Sequence, residues 1–280
     1  MVGTRTGEGF MATTNQMDDR TIFVTGASGI AAAGAALFAQ LGAQVFIASR
    51  TGSKCQSVTE EIENLGGVAA WAEADLTSES AADAAFDACV DQFGRIDGLF
   101  AVAGGSGRSF GDGPIHDMSL SGWEETFRLN GHPAFLAARN AVQVMRGQEP
   151  NSSGTRGSIV VVSSVLASNP VPSHFATHAY AAVKGAENSL TTTLAAYYAP
   201  DQIRVNAVAP GLVHTPMAER AAQDPVITAY ASRKQPLALG LIAPEEVAAA
   251  GAFLLSDAAR NVTGQVLAVD GGWSVTEATP

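Results

Sequence analysis

The stretch Thr21-Ile-Phe-Val-Thr25-Gly26-Ala27-Ser28-Gly29-Ile30-Ala31 carries a nearly continuous apolar run through a glycine-rich turn into an alanine-rich helical pattern. An unbroken apolar run suits a strand covered on both faces. Glycine in the turn permits positive φ and lets backbone approach a pyrophosphate, which the following helix N-terminus stabilises. Such a turn also joins strand to helix without binding anything. Its place at the first such junction of the chain gives it weight.

Along the rest of the chain the alternation recurs. Strand-like runs lie at Thr21–Thr25, Gln44–Ala48, Val68–Ala72, Ile96–Val102, Ser158–Ser163, Ile203–Val208 and Gln265–Val269. Helical patterns lie at Ala31–Leu41, Lys54–Leu65, Ser80–Phe93, Gly122–Met145, Ala179–Ala199 and Glu245–Leu255. Ser121 and Glu124 have capping-box spacing at the head of the fourth helix, and Pro244 followed by two acids opens the last. Alternation of this kind implies right-handed crossovers and an α/β fold. The expectation is a doubly wound, Rossmann-type sheet of seven parallel strands with helices on both faces, forming one domain over 21–280. Ligands in such sheets bind beyond the carboxyl ends of the strands.

Composition narrows the function. The 280 residues carry 16 basic and 27 acidic side chains, a formal charge of −11. A polyanion would meet a like-signed field, so nucleic acid is excluded as a partner. With 46% apolar and 15% charged residues, the bulk of the chain has material for a sizeable core and is not disordered. The longest apolar runs, Gly29–Ala39 and Val247–Leu255, are about half of a membrane span. Cys55 and Cys89 are too few for a disulfide framework and are expected as buried thiols, which suits a reducing, cytoplasmic setting. Residues 1–20 show no apolar stretch fit for a signal peptide and are expected as a flexible polar leader.

The second strand runs into Ser49-Arg50-Thr51. An NAD site usually offers an acid there to the ribose 2′-hydroxyl, whereas an arginine accommodates a 2′-phosphate. Arg50 with two hydroxyls and no acid favours NADP, with NAD possible. Asp75-Leu76 ends the third strand, where an acid accepts from an adenine amine or caps the next helix. Ala103-Gly104 follows the fourth and leaves room for the adenosine ribose.

Tyr180-Ala-Ala-Val-Lys184 opens a long helix with Tyr and Lys on one face. A free tyrosine, with a pKa of about 10, is a poor base at neutral pH. A nearby ammonium favours the phenolate and makes proton exchange with an alcohol or carbonyl feasible. Tyr–Lys pairs on solvated faces share this spacing, but here Ser163-Ser164 closes the preceding strand and Asn130 lies within the preceding helix.

These residues together resemble the compact, single-domain branch of the short-chain dehydrogenase/reductase family, 3-oxoacyl reductase-like members included. The resemblance spans about residues 20–275 and adds Arg204-Val-Asn-Ala-Val-Ala-Pro210-Gly211 and the segment from Val262 to Asp270-Gly-Gly272. It implies Tyr180 as general acid/base and Ser164 as the group orienting the substrate oxygen. Lys184 would bind the nicotinamide ribose, and Asn130 would hold a relay water. Gly26, Ser28, Gly29 and Ile30 would meet the phosphates, while Pro210, Gly211, Val213 and Thr215 would meet the carboxamide. A homotetramer is implied as well. The chain departs from the family pattern in three places: the glycine turn is one residue short with Ala31 at its third glycine, Ala101-Val-Ala-Gly104 replaces Asn-Asn-Ala-Gly, and Ser164 and Tyr180 are 16 residues apart.

The substrate pocket is expected from Gly105–His116, a mobile loop or surface turn, Leu166–Thr177 and Met217–Leu239, with a lid around 212–240. Met217, Tyr230 and Phe175 are candidates for an apolar wall, and Arg108 or Arg233 for an anion contact. His174 and His178 lack a carboxylate or cysteine at ligand spacing, so no metal is expected. The expected activity is NAD(P)-dependent interconversion of a secondary alcohol and a ketone. A 3-oxoacyl thioester leads as small-molecule substrate, a sugar or polyol follows, and a catalytically silent dinucleotide sensor is the rival.

Overall fold

Residues 17–277 are described by a computed structural model of the chain. The strands are β1 (Thr21–Thr25), β2 (Gln44–Ser49), β3 (Val68–Glu73), β4 (Gly98–Ala101), β5 (Gly157–Val162), β6 (Ile203–Pro210) and β7 (Val266–Val269). They form one parallel sheet in the order β3-β2-β1-β4-β5-β6-β7. The helices are α1 (Ile30–Gln40), α2 (Gly52–Asn64), α3 (Glu79–Phe93), α4 (Leu120–Gly147), α5 (His178–Tyr198), α6 (Glu219–Ala222), α7 (Pro225–Lys234) and α8 (Pro244–Leu255).

Successive strand side chains point to opposite faces, and this divides the core in two. Ile22, Val24, Val45, Ile47, Val160 and Val162 pack with α1, α2 and α8. Phe23, Phe46, Ala48, Ile159 and Val161 pack with α3, α4 and α5. With both faces covered, β1, β5 and β6 are buried throughout; β1 and β5 read as nearly continuous apolar runs, while β6 buries Arg204 and Asn206 among its apolar residues. The α1 and α8 helices approach closely over β4: a Cβ on Gly34 or on Gly251 would stand 2.7 Å from the Phe100 ring. The chain reverses its winding between β1 and β4, so the crevice for a ligand opens above their carboxyl ends.

Several boundaries differ from the sequence expectation. β4 ends at Ala101 because the Thr25 hydroxyl accepts from the amides of Val102 and Ala103 at 2.8 and 2.9 Å, replacing ladder bonds with a side-chain contact. α4 begins at Leu120 and is capped by Ser119, whose hydroxyl accepts from the Gly122 amide at 3.1 Å. The Ser121–Glu124 pair therefore lies inside the helix. The segment 217–239, within the expected lid, holds α6 and α7, and Asp224 caps α7 by accepting from Val226 and Ile227. The expected leader lies outside the described residues up to position 16. Its last residues are part of the fold: Met17 is buried, and Arg20 pairs with Asp257 at 2.6 Å. Cys55 and Cys89 are free and buried, and no helix among the described residues is long and apolar enough to cross a membrane.

Candidate active site

A cavity of about 510 Å³ opens above the carboxyl ends of the strands. One half is built by β1, β2 and β3. Gly26, Ser28 and Ile30 line it where β1 turns into α1, and Gly26 and Gly29 hold φ of +99° and +55°. Gly29 has no room for a side chain, since its Cβ would stand 2.8 Å from Thr215 Cγ2. The α1 N-terminus carries no side-chain cap and no acid in its first turn. No carboxylate there competes with an anionic phosphate for the helix end. The shortened glycine turn thus keeps an open helix end. Ser49, Arg50, Thr51, Asp75, Leu76, Ala103 and Gly104 line the same half. The donors and space present fit a dinucleotide.

Asp75 does not cap α3, a place taken by Ser78. Its Oδ1 accepts from the Thr77 amide and hydroxyl at 3.0 and 2.8 Å. Burial presses the carboxyl up, but the Thr77 donors, then Arg50 and Arg128, hold it below the usual carboxylate range.

The other half holds Asn130, Ser164, Tyr180 and Lys184, with Pro210, Gly211, Val213 and Thr215 along one side. Every residue predicted from the sequence for catalysis or cofactor binding, except Gly29, lines this one cavity. Beyond Tyr180 the wall turns apolar: Leu166, Phe175, Leu212, Met217 and Trp273 line it. Tyr230 is not in the lining but packs edge-on behind Trp273 at 5.9 Å, and Arg233 is also outside. The indole is anchored by Nε1 donating to the Asn169 carbonyl at 3.3 Å, which ties the long 164–180 segment to the carboxyl-terminal turn.

The polar support that the Ala101-Val-Ala-Gly104 departure removes is supplied elsewhere. Thr25 holds the amides after β4, and the buried Asn130 side chain brackets Gly105. Its Oδ1 accepts from the Gly105 amide at 3.0 Å, and its Nδ2 donates to the carbonyls of Gly105 and Thr126 at 3.0 and 2.8 Å. Gly104 is required by this approach, since its Cβ would meet Asn130 Oδ1 at 2.6 Å.

Two residues at the site escape sequence reading. Glu187 is buried beside Lys184, whose ammonium donates to both its oxygens at 3.1 and 2.9 Å and to the Val162 carbonyl at 3.0 Å. Burial presses Lys184 down, but the Glu187 carboxylate and then Tyr180 hold it above its ordinary value. At Tyr180 the Lys184 charge acts in the direction the sequence predicts, but it is outweighed. Burial pushes the phenol up; Lys184 pulls it down, Glu187 pushes it up again, the Ser164 hydroxyl favours the phenolate, and the net direction is upward. The available signal was an acid three residues after Lys184, on the same helix face.

The second is Asp112, in the loop expected to be mobile. Its two carboxylate oxygens accept from the amides of Ala179 and Tyr180 at 2.9 and 3.0 Å, so it caps α5 from a distant segment. The neighbouring His178 Nδ1 lies 2.7 Å from the Gly113 carbonyl, and His174 packs on Tyr230 at 4.5 Å. Arg204 and Asn206, part of the family-like motif, are structural. Arg204 donates to the carbonyls of Leu254 and Ser256 at 2.6 and 3.0 Å, and burial pulls its pKa down to about 10. Asn206 joins Val262 to Gln265.

Comparison with known proteins agrees with this geometry. A family model described as enoyl-(acyl carrier protein) reductase matches residues 24–274. A cis-4-hydroxycyclohexanecarboxylate dehydrogenase from Sinomonas cyclohexanicum is 36% identical over 257 residues, covering 91% of this chain and 97% of its own. A 3beta-hydroxysteroid dehydrogenase 1 from Eggerthella lenta is 36% identical over 264 residues, covering 93% and 96%. The structure of a short-chain type dehydrogenase/reductase from Mycobacterium ulcerans superposes with a TM-score of 0.84 at 32% identity, covering 93% of this chain and 92% of that one.

Proposed function

The chain belongs to the short-chain dehydrogenase/reductase family of oxidoreductases, and from that premise we propose that it interconverts a ring-borne secondary alcohol and its ketone, with NADP preferred over NAD. The bound dinucleotide supplies or accepts the hydride. The chain's own residues bind, orient and move the proton. Tyr180 donates its phenolic proton to the carbonyl oxygen in reduction and takes it back in oxidation. Ser164 holds that oxygen against the phenol, and Lys184 stabilises the phenolate once the proton has left. Asn130 fixes the Gly104–Gly105 turn at the cofactor ribose, and the remaining acceptor site on its Oδ1 suits a relay water. The segment 212–240 is the substrate lid.

One observation carries this reading: Tyr180, Ser164 and Lys184 converge in the same cavity as the glycine turn and Arg50, next to an apolar wall. That wall, Leu166, Phe175, Leu212 and Trp273, suits an alicyclic skeleton better than a polyol, and the two named relatives act on hydroxyls carried by rings. A 3-oxoacyl thioester is the second reading, favoured by the description of the matching family model. Retention of the full proton-transfer set argues against a silent sensor. For NADP the support is Arg50, for which the described residues show no salt bridge. A homotetramer in a reducing cytoplasm completes the proposal, with sedimentation as the test of assembly.

The test is turnover of a panel of cyclic alcohols and ketones followed by nicotinamide absorbance, with Tyr180→Phe as the control. The variant should lose roughly 10²–10⁴-fold in kcat while keeping its dinucleotide Kd. Undiminished turnover in Tyr180→Phe refutes the assignment of the proton donor.

A further inference from the structure

Two guanidinium groups line the cavity with no role in the chemistry above. Arg108 comes from the short turn Gly107–Phe110 after β4, and Arg220 from α6 in the segment that follows Thr215. Both remain partly open to solvent, and neither lies within salt-bridge distance of an acid among the described residues. The nearby acids are engaged elsewhere. Asp112 accepts from the two α5 amides, Glu219 accepts from Gln223 at 2.6 Å, and Asp117 lies 3.4 Å from His116. The two arginines also feel each other: Arg108 is held below its ordinary value first by burial and then by the Arg220 charge, with Asp112 opposing. In a chain of net charge −11, the cavity is lined by Arg50, Lys54, Arg108, Lys184 and Arg220 against the single acid Asp75. Lys184 is neutralised by Glu187, and Arg50 and Lys54 sit at the β2 end. Away from the β2 end, the cavity's positive charge without a salt bridge among the described residues therefore rests on Arg108 and Arg220.

Like charges that line one cavity are relieved by an anion bound between them, and guanidinium pairs with a carboxylate through two parallel hydrogen bonds. We propose that Arg108 and Arg220 are the two arms of an anion clamp that selects substrates bearing a carboxylate beside their alcohol or ketone, held at the mouth of the cavity while the ring packs on the apolar wall. This inference rests on the alcohol–ketone reading above. Arg108 follows Gly105, which Asn130 brackets, and precedes Asp112, which caps the helix carrying Tyr180; this puts the clamp on the catalytic side of the cavity. The dinucleotide's own phosphates are the other source of an anion, because Arg220 follows Thr215, which touches Gly29.

The experiment compares a hydroxycycloalkane carboxylate with its methyl ester in the wild type, Arg108→Ala, Arg220→Ala and the double variant. In parallel, Kd is measured for the dinucleotide alone and, by calorimetry, for cyclohexanecarboxylate. The wild type should prefer the carboxylate in kcat/KM. Each single variant should lose about tenfold of that preference, as expected for a partly exposed charge-assisted contact. Cyclohexanecarboxylate affinity should fall in parallel, and dinucleotide Kd should hold. High salt should erode the wild-type preference in the same direction. A wild type indifferent to the carboxylate overturns the clamp, as does equal loss on acid and ester or a dinucleotide Kd that weakens in step. Absence of turnover on every neutral alcohol and ketone would count against the enzymatic reading instead, and the calorimetric comparison would still decide the clamp.

Discussion

Replacing Asp112 by Ala removes two acceptors at once from the start of α5. The carboxylate is 5% exposed and receives the Ala179 and Tyr180 amides at 2.9 and 3.0 Å. Those amides belong to the helix's first turn, which has no intrahelical partners, and Thr177 at the N-cap position provides no side-chain bond. Loss of a capping side chain alone costs about 0.5–2 kcal/mol. Here two bonds to a charged group are lost and the site is buried, so roughly 2–4 kcal/mol is expected once water has partly refilled the opening. For a chain of this size that corresponds to a Tm lower by about 5–15 °C. Because one of the two amides is that of Tyr180 itself, the phenol also loses its support, and kcat should fall by about 10²-fold. Urea unfolding, thermal unfolding and turnover on the same preparation measure all three. Asp112→Asn keeps one acceptor but turns an NH₂ toward the other amide, so it should recover no more than half of either loss. The reasoning is refuted if Asp112→Ala unfolds within about 0.5 kcal/mol of the wild type, or if stability falls while kcat is unchanged.

Three further outcomes follow from the site and the core. Glu187→Gln removes a negative charge that holds the Tyr180 phenol up, so the rising limb of the pH profile of kcat/KM for alcohol oxidation should move to lower pH; movement to higher pH would contradict the arrangement. Arg50→Ala should weaken NADP binding by roughly tenfold or more and leave NAD nearly unchanged in titrations of both, whereas equal effects would deny Arg50 the 2′-phosphate. Gly251→Ala sets a methyl 2.7 Å from a Phe100 ring held edge-on to Phe38 at 5.2 Å, and should cost about 1–3 kcal/mol in denaturant unfolding.

What was legible in the sequence was what depends on neighbours along the chain. Continuous apolar runs mark strands buried on both faces, and the Tyr180–Lys184 spacing places two groups on one side of a helix. Both readings need only local geometry. The head of α4 was misplaced because Ser119 and Ser121 are equally good caps in isolation; packing of Gly122 against Phe110 decides between them. The Gly105–His116 loop read as mobile because four glycines mark freedom, while the bond that removes it runs 67 residues away to Ala179.

By itself, then, the sequence determined an α/β sheet with a glycine turn at its first crossing and a Tyr–Lys pair on a late helix, since period and spacing are properties of consecutive residues. Only the tertiary structure decided the electrostatics of the site. Glu187 neutralises Lys184 because both are enclosed together, and Asp112 steadies Tyr180 because a loop after β4 passes the end of α5. Arg108 and Arg220 share one opening because two distant segments flank it. A charge acts on whatever the fold brings within a few ångströms of it, and that distance is not written in the order of the residues.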